Sequence, residues 1–268
     1  MSQKIALIGA GAMGGAIGAR LVQMGQDLTV YDLDAEKVAA LVSLGATAAS
    51  SAAMAAAQAD FVVISLNAAQ IVERAVFGPQ GVAEGAKAGS LLIDMSSIDP
   101  DATKALAAKA AALGLRWVDS PLSGGAPKVA LGQLTLMVGG AAQDVAEAQQ
   151  ILQHLASNYT HMGPVGAGQT TKLINQVLCG LNFMAVAEAT QLALAAGVDA
   201  LGLSGVDRGL VHARKMQGTG QDMGFTGEVV SVRGELLLGL LEQGITPVIA
   251  PVSLGDNSSL NVNADHVA

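Results

Sequence analysis

Short apolar runs alternate along this chain with longer stretches of helical spacing. Lys4 to Ile8 (KIALI) is an apolar run that stops at glycines, the pattern of a buried parallel strand. From Met13 to Met24 the apolar residues Ile17, Leu21 and Met24 recur on one helical face. Asp27 to Tyr31, Asp60 to Ser65, Ser90 to Asp94 and Leu115 to Val118 are further strand candidates. Ala35 to Leu44 and the alanine-rich intervals between the later strands read as helices. The alternation predicts an α/β fold, a doubly wound parallel sheet of Rossmann type with helices on both faces. Such sheets bind ligands at the carboxyl ends of their strands.

Leu134 to Val138 reads as another strand, Ala142 to Leu155 as a helix and Gly163 to Gly168 as a loop. The pattern is then helical from Gln169 to Ala196. Alanine falls from 45 in residues 1–200 to 4 in residues 201–268. In that last part, Thr246 to Leu254 (TPVIAPVSL) suits a strand and turn better than a helix. The expected division is a dinucleotide-binding domain over 1–165, an interdomain helix over 166–197 and a small α/β segment over 198–268.

Charge and composition narrow the function classes. The net charge is −8 and the 14 basic residues are scattered, so a phosphate-backbone grip on nucleic acid is not expected. No uninterrupted apolar run reaches the roughly 18 residues of a membrane span, so no membrane partner is expected either. Cys179 is the only cysteine, which fits a reducing, cytoplasmic setting. His154, His161, His212 and His266 show no ligand spacing, so no metal is expected.

Gly9-Ala10-Gly11-Ala12-Met13-Gly14 satisfies G-x-G-x-x-G between a strand and a helix, the context that gives the motif meaning. Gly9 permits the tight turn, Gly11 lets backbone approach a pyrophosphate, and Gly14 lets helix and strand pack closely. Ala12 and Met13 fall where a helix N-terminus offers free N–H groups to phosphate. Asp32 ends the second strand candidate, 23 residues past Gly9. A carboxylate there accepts from both ribose hydroxyls and repels a 2′-phosphate, which favours NAD over NADP. The competing reading is that Asp32 and Asp34 cap the next helix.

Three later segments carry polar groups. Ser96 and Ser97 follow a strand, on the nicotinamide side of a bound cofactor. Asp119 to Gly125 (DSPLSGG) is a turn able to offer N–H groups and a hydroxyl to a carboxylate. Lys172, Asn175 and Gln176 share one face at the start of the long helix, where the dipole disfavours a charged ammonium and suits a proton-transfer group.

Residues 1 to about 197 resemble the β-hydroxyacid dehydrogenases, which include 3-hydroxyisobutyrate dehydrogenase and tartronate semialdehyde reductase. The resemblance rests on GAGAMG, on DSPLSGG with the following GQLTLMVGG, and on GAGQTTKLINQ, in the family's order. It implies NAD- or NADP-dependent oxidation of short 3-hydroxy acids, or reduction of their semialdehydes. It also implies a small carboxylate substrate and a homo-oligomer. On this resemblance Lys172 is the general acid/base, Ser123 and Gly124 hold the substrate carboxylate, and Asn175 with Gln176 orients the hydroxyl. Leu66, Asn67 and Ser97 lie against the cofactor, with Asn67 standing where the family usually has proline.

From about Gly197 the chain instead resembles an internal part of acetylglutamate kinase, through GVDALGLSGVDRGLVHARK, DMGFTGEVVSV, GITPVIAPVSLG and LNVNADHVA. That resemblance implies a chimera and assigns contacts with an acylated amino acid to Asn261 and Asn263. The kinase's glycine-rich phosphate-binding portion has no counterpart here. Two alternatives to the dehydrogenase therefore stand: an incomplete kinase-type phosphotransferase, and an NAD-binding chimera without turnover.

Overall fold

A computed structural model describes residues 3–204, 210–215, 227–250, 252–254 and 259–261. Two compact units divide the chain, Met1–Asn175 and Gln176–Ala268.

The first unit opens with β1 (Lys4–Ile8), α1 (Ala12–Gln23), β2 (Asp27–Tyr31), α2 (Ala35–Val42), β3 (Thr47–Ala48) and α3 (Ala52–Ala56). There follow β4 (Phe61–Ile64), α4 (Ala69–Phe77), α5 (Val82–Gly85), β5 (Leu91–Asp94), α6 (Pro100–Ala112) and β6 (Arg116–Asp119). The unit continues through β7 (Leu122–Ser123), α7 (Gly125–Ala130), β8 (Leu134–Gly139), α8 (Ala142–Leu152) and β9 (Ala156–Gly163). Helix α9 (Ala167–Ala195) then crosses the boundary between the units.

The sheet runs in the order β3-β2-β1-β4-β5-β6-β8-β7, with β9 also paired to β8. Strands β1 to β6 are parallel; β8 runs antiparallel to β6 and β7, and β9 is parallel to β8. The strand order reverses direction in sequence between β1 and β4, the point at which such sheets open a crevice for ligands. Every residue of β4 and β5 is buried, which explains why these strands are continuous apolar runs rather than alternating ones. One apolar cluster, around Ile5, Leu7, Ile17, Leu21 and Ile93, fills one face of the sheet. A second, around Ala6, Ile8, Val62, Ile64 and Leu92, fills the other. This is the doubly wound Rossmann-type sheet that the alternation predicts.

Three expectations change. The helix expected over Ala142 to Leu155 ends at Leu152, and β9 follows at once although no strand is expected there. β9 lies on polar sequence because its residues are at most half-buried. The long helix starts at Ala167 rather than Gln169, so the expected loop yields its last two residues to the first turn. That helix is also long and apolar enough, by length and composition alone, to cross a membrane. It holds no unbroken apolar run of that length, because Lys172, Asn175, Gln176, Asn182 and Glu188 are interspersed.

The second unit holds β10 (Ala200–Ser204), β11 (Val211–Lys215), β12 (Gly227–Val232), α10 (Gly234–Glu242), β13 (Thr246–Ala250), β14 (Val252–Leu254) and β15 (Ser259–Asn261). β10 and β13 pair in parallel, and β12-β11-β14-β15 form a second small sheet. Leu210, Val211 and Ala213 are buried against Leu203, Val229, Val232, Leu237 and Ile249. Gly202 packs so closely that a Cβ there would sit 2.7 Å from Val186 of α9. Thr246–Ala250 and Val252–Leu254 are strands, as their residue types predict, and Pro251 lies outside the described residues. Asn261 ends β15, whereas Asn263 and His266 lie outside the described residues.

Candidate active site

The glycine turn is built as its spacing requires. Gly9 has φ +98°, and a side chain there would collide with the Ser65 carbonyl and the Leu66 side chain. Gly14 is buried with its Cα against the Gly9 carbonyl, so any Cβ would force α1 off the turn. Gly11 differs: a Cβ would meet nothing within 4 Å, so its outer side is open. Gly11 is the N-cap of α1 and supplies no side-chain cap. The first-turn N–H groups of exposed Ala12 and half-buried Met13 therefore have no intrahelical acceptor. An uncapped helix start beside an open glycine fits a diphosphate.

Asp32 is tied to that turn. Its Oδ2 accepts from the Ala10 backbone N–H at 2.6 Å and its Oδ1 from the Asp34 N–H at 2.8 Å. Each oxygen keeps a further lone pair for a ribose hydroxyl. Capping of α2 falls to Asp34, which accepts from the Glu36 N–H at 3.1 Å.

Beyond the neighbouring strands stand Leu66, Asn67 and Ser97. Leu66 is half-buried in the second apolar cluster, while Asn67 and Ser97 are exposed. The Leu66 N–H donates to Ser96 Oγ at 3.0 Å, and the Ser96 N–H donates to Asp94 Oδ1 at 3.0 Å. Asp94 is fully buried at the end of β5, and its Oδ2 has no partner among the described residues. Burial pushes its carboxyl up to about 7, against the pull of the Ser96 hydrogen bonds; the nearby Asp119 charge adds to the rise.

The third group comes from β6, β7 and α9. Ser123 is half-buried in β7 opposite Thr135, and Gly124 follows at φ +124° on the exposed turn into α7. Asp119, the last residue of β6, is buried and accepts from the Gly166 N–H at 2.7 Å and the Gln169 N–H at 2.9 Å. Burial raises its carboxyl; those N–H groups at the start of α9 oppose the rise. Gly168 lets the helix come this close, since a Cβ there would press on the Met137 carbonyl and on Asp119. Lys172 lies one turn further along α9 and is half-buried, as is Asn175. Exposed Gln176 falls on the far side of the unit boundary.

Within the first unit, the carboxyl ends of β1, β2, β4, β5 and β6 thus gather the glycine turn, Asp32, Leu66, Asn67, Ser97 and the start of α9. Ser96 and Asp119 fall in segments that the sequence marks as polar, but their anchoring roles, and Asp94 and Gln169 altogether, escape a reading of the sequence. The local signal for the two acids is their place at the end of a short apolar run, in LLID and in WVD.

A strand–glycine turn–helix unit with an acid on the next strand defines a dinucleotide-binding protein. Residues 4–163 match the family described as the NAD binding domain of 6-phosphogluconate dehydrogenase. The chain is 38% identical over 197 residues to 2-(hydroxymethyl)glutarate dehydrogenase of Eubacterium barkeri, a match covering 74% of this chain and 65% of the relative. It is 38% identical over 202 residues to 3-hydroxyisobutyrate dehydrogenase of Pseudomonas aeruginosa, covering 75% and 68%. The 3-hydroxyisobutyrate dehydrogenase structure from Mycobacterium tuberculosis with L-serine superposes with a TM-score of 0.69 at 31% identity, covering 74% of this chain and 67% of that one. The chain belongs to the β-hydroxyacid dehydrogenase family, with a nucleotide domain of the 6-phosphogluconate dehydrogenase type. It spans about two thirds of the length of the curated relatives it matches.

Proposed function

We propose that this protein is an NAD-dependent oxidoreductase that interconverts a short 3-hydroxy acid and its semialdehyde. The observation that carries the reading is the gathering of an open glycine turn, Asp32 and the first turn of α9 on one sheet edge. The substrates named for relatives, 2-(hydroxymethyl)glutarate, 3-hydroxyisobutyrate and L-serine, share a hydroxyl one carbon beyond the carbon that bears the carboxylate. A small carboxylate of that kind is the proposed substrate.

The bound nicotinamide supplies the hydride acceptor. The chain's own work is to bind, orient and move a proton. Gly9, Gly11, Ala12, Met13 and Gly14 hold the diphosphate, and Asp32 accepts from the ribose hydroxyls, which favours NAD over NADP. Leu66, Asn67 and Ser97 flank the nicotinamide side. Ser123 and the Gly124 N–H hold the carboxylate. Lys172 takes the proton from the hydroxyl during oxidation and returns it during reduction. Asn175, with Gln176, orients that hydroxyl.

A homo-oligomer belongs to the same reading. Leu173, Ile174, Val177, Leu178, Leu181 and Phe183 on α9 are 49% to 73% exposed, an apolar surface that calls for cover. A cytoplasmic setting is supported by the lone Cys179, which has no second cysteine to pair with. Residues beyond about 197 are proposed to derive from an amino-acid kinase. That origin rests on the resemblance of the tail's sequence segments alone.

The test is a fluorescence titration with NADH, followed by a turnover screen of 3-hydroxyisobutyrate, glycerate, threonate and L-serine with NAD. Absence of NADH binding at millimolar concentration sinks the reading. Binding with no turnover favours the NAD-binding chimera, and phosphorylation of N-acetylglutamate by ATP favours the kinase alternative.

A further inference from the structure

We infer that Gln169 is a positioning residue that couples the cofactor-side loop carrying Ser97 to the helix turn carrying Lys172. The inference rests on the oxidoreductase reading and adds a component to its site. Gln169 is only 2% exposed and polar, so its groups need partners inside the protein. Its Nε2 donates to the Ser96 carbonyl at 2.7 Å, and its Oε1 accepts from the Ile98 N–H at 3.3 Å. The carboxamide therefore grips the backbone on both sides of Ser97, as a neighbouring strand would. Ser97 itself stays exposed.

The other end of the grip is fixed as well. The Gln169 backbone N–H donates to Asp119, which also holds the Gly166 N–H. Gly168 packs with no space for a Cβ against the Met137 carbonyl and Asp119, so the turn has little freedom to slide. Lys172 follows three residues after Gln169 on the same helix, at the spacing that places side chains on neighbouring positions of one face. Ser96 meanwhile accepts from the Leu66 N–H, so the gripped loop is joined to the other proposed cofactor-side segment. A shift of the loop on cofactor binding is thereby passed to the first turn of α9. Only an amide side chain of this length offers one donor and one acceptor in this arrangement; glutamate lacks the donor and methionine lacks both.

The test uses the full chain and two variants, Gln169→Met and Gln169→Glu, with folding checked by circular dichroism. Backbone hydrogen exchange is followed for residues 64–67, 95–99 and 166–172 with and without saturating NADH. In the wild type, NADH is expected to slow exchange in all three segments. In Gln169→Met it is expected to slow the first two only, with NADH affinity changed less than about threefold, because Gln169 grips the loop rather than the cofactor. Turnover of whichever 3-hydroxy acid the wild type uses is expected to fall about tenfold through kcat, since misplacing the proton-transfer group costs rate more than binding. Gln169→Glu keeps the acceptor and is expected to fall between; it carries the test if Gln169→Met does not fold. Wild-type protection of 166–172 in either folded variant overturns the coupling. So does a wild type in which NADH protects the loops but not 166–172. Binding and coupling without turnover would refute the 3-hydroxy-acid reading and leave the coupling standing, whereas a wild type that binds no NADH overturns both.

Discussion

The backbone N–H of Ala10 donates a 2.6 Å hydrogen bond to Asp32, joining the middle of the glycine turn to the end of the neighbouring strand. The turn's shape and the acid's position are therefore one structural unit. Asp32 steadies the backbone of the turn, and its remaining lone pairs are the ones proposed to accept from a ribose.

Replacing this acid should affect both roles. Asp32→Ser is expected to weaken NADH binding by about tenfold, the effect of losing about 1.4 kcal/mol of interaction. It should also narrow the preference for NADH over NADPH, because the charge that repels a 2′-phosphate is gone. Paired fluorescence titrations with the two cofactors measure both effects. An unchanged preference would show that Asp32 serves the turn alone.

The last two glycines of the motif should fail in different ways. Gly14→Ala drives a methyl into the Gly9 carbonyl, and overpacking of this kind typically costs about 1–3 kcal/mol. Gly11→Ala meets nothing within 4 Å and keeps an ordinary backbone, φ −61° and ψ −172°. Its methyl projects only into the space proposed for the diphosphate. Gly11→Ala is therefore expected to unfold at the wild-type urea concentration yet bind NADH at least about tenfold more weakly. Equal NADH affinity in Gly11→Ala and wild type would remove the diphosphate from that spot.

The sequence exposes the parts of this design that are local. Buried parallel strands such as VVIS and LLID show as apolar runs because both of their faces are covered. The glycine motif shows because its spacing follows the local turn into α1, with Gly14 packed on the Gly9 carbonyl, although the atoms that exclude a side chain at Gly9 come from Ser65 and Leu66. β9 does not show, because it is an edge strand with register shifts against β8 and mostly exposed side chains. Its fixed point is Tyr159, whose hydroxyl donates to the Val145 carbonyl at 2.7 Å, a contact no periodicity reveals. The same holds at the site. Lys172 stands out as a polar residue at a helix start, but Asp119 reaches Gln169 across 50 positions, and nothing near either residue announces the other.

If Lys172 handles the proton, its loss should lower rate without emptying the cofactor site. Lys172→Ala is expected to reduce kcat by about 10²- to 10⁴-fold, the usual worth of a positioned acid or base. NADH affinity should stay within about threefold of wild type, a change of less than about 0.7 kcal/mol. Lys172→Arg should not restore the rate, since a guanidinium does not give up its proton near neutral pH. Steady-state kinetics beside NADH titrations separate these outcomes, and a kcat within a few-fold of wild type in Lys172→Ala would reassign the proton to another group.

Asp94 should make the protein less stable as pH rises. Its carboxyl is held at about 7 in the folded chain, against an ordinary value of 3.8, chiefly by burial. Below the ordinary value the acid is neutral in both states and contributes nothing. Between the two values the unfolded chain releases the proton first, so folding loses about 1.4 kcal/mol for each pH unit. Above about 7 the loss levels off, at about 4 kcal/mol at most. Asp94→Asn removes this titration. It also places an amide donor at a position where Asp94 Oδ2 has no partner among the described residues, which costs about 1–3 kcal/mol. The variant is therefore expected to be less stable than wild type near pH 4.5 and more stable near pH 8. Urea denaturation at both pH values reads the crossover directly. Parallel pH profiles for the two proteins would mean that Asp94 keeps its charge in the fold, stabilised by a group other than Ser96.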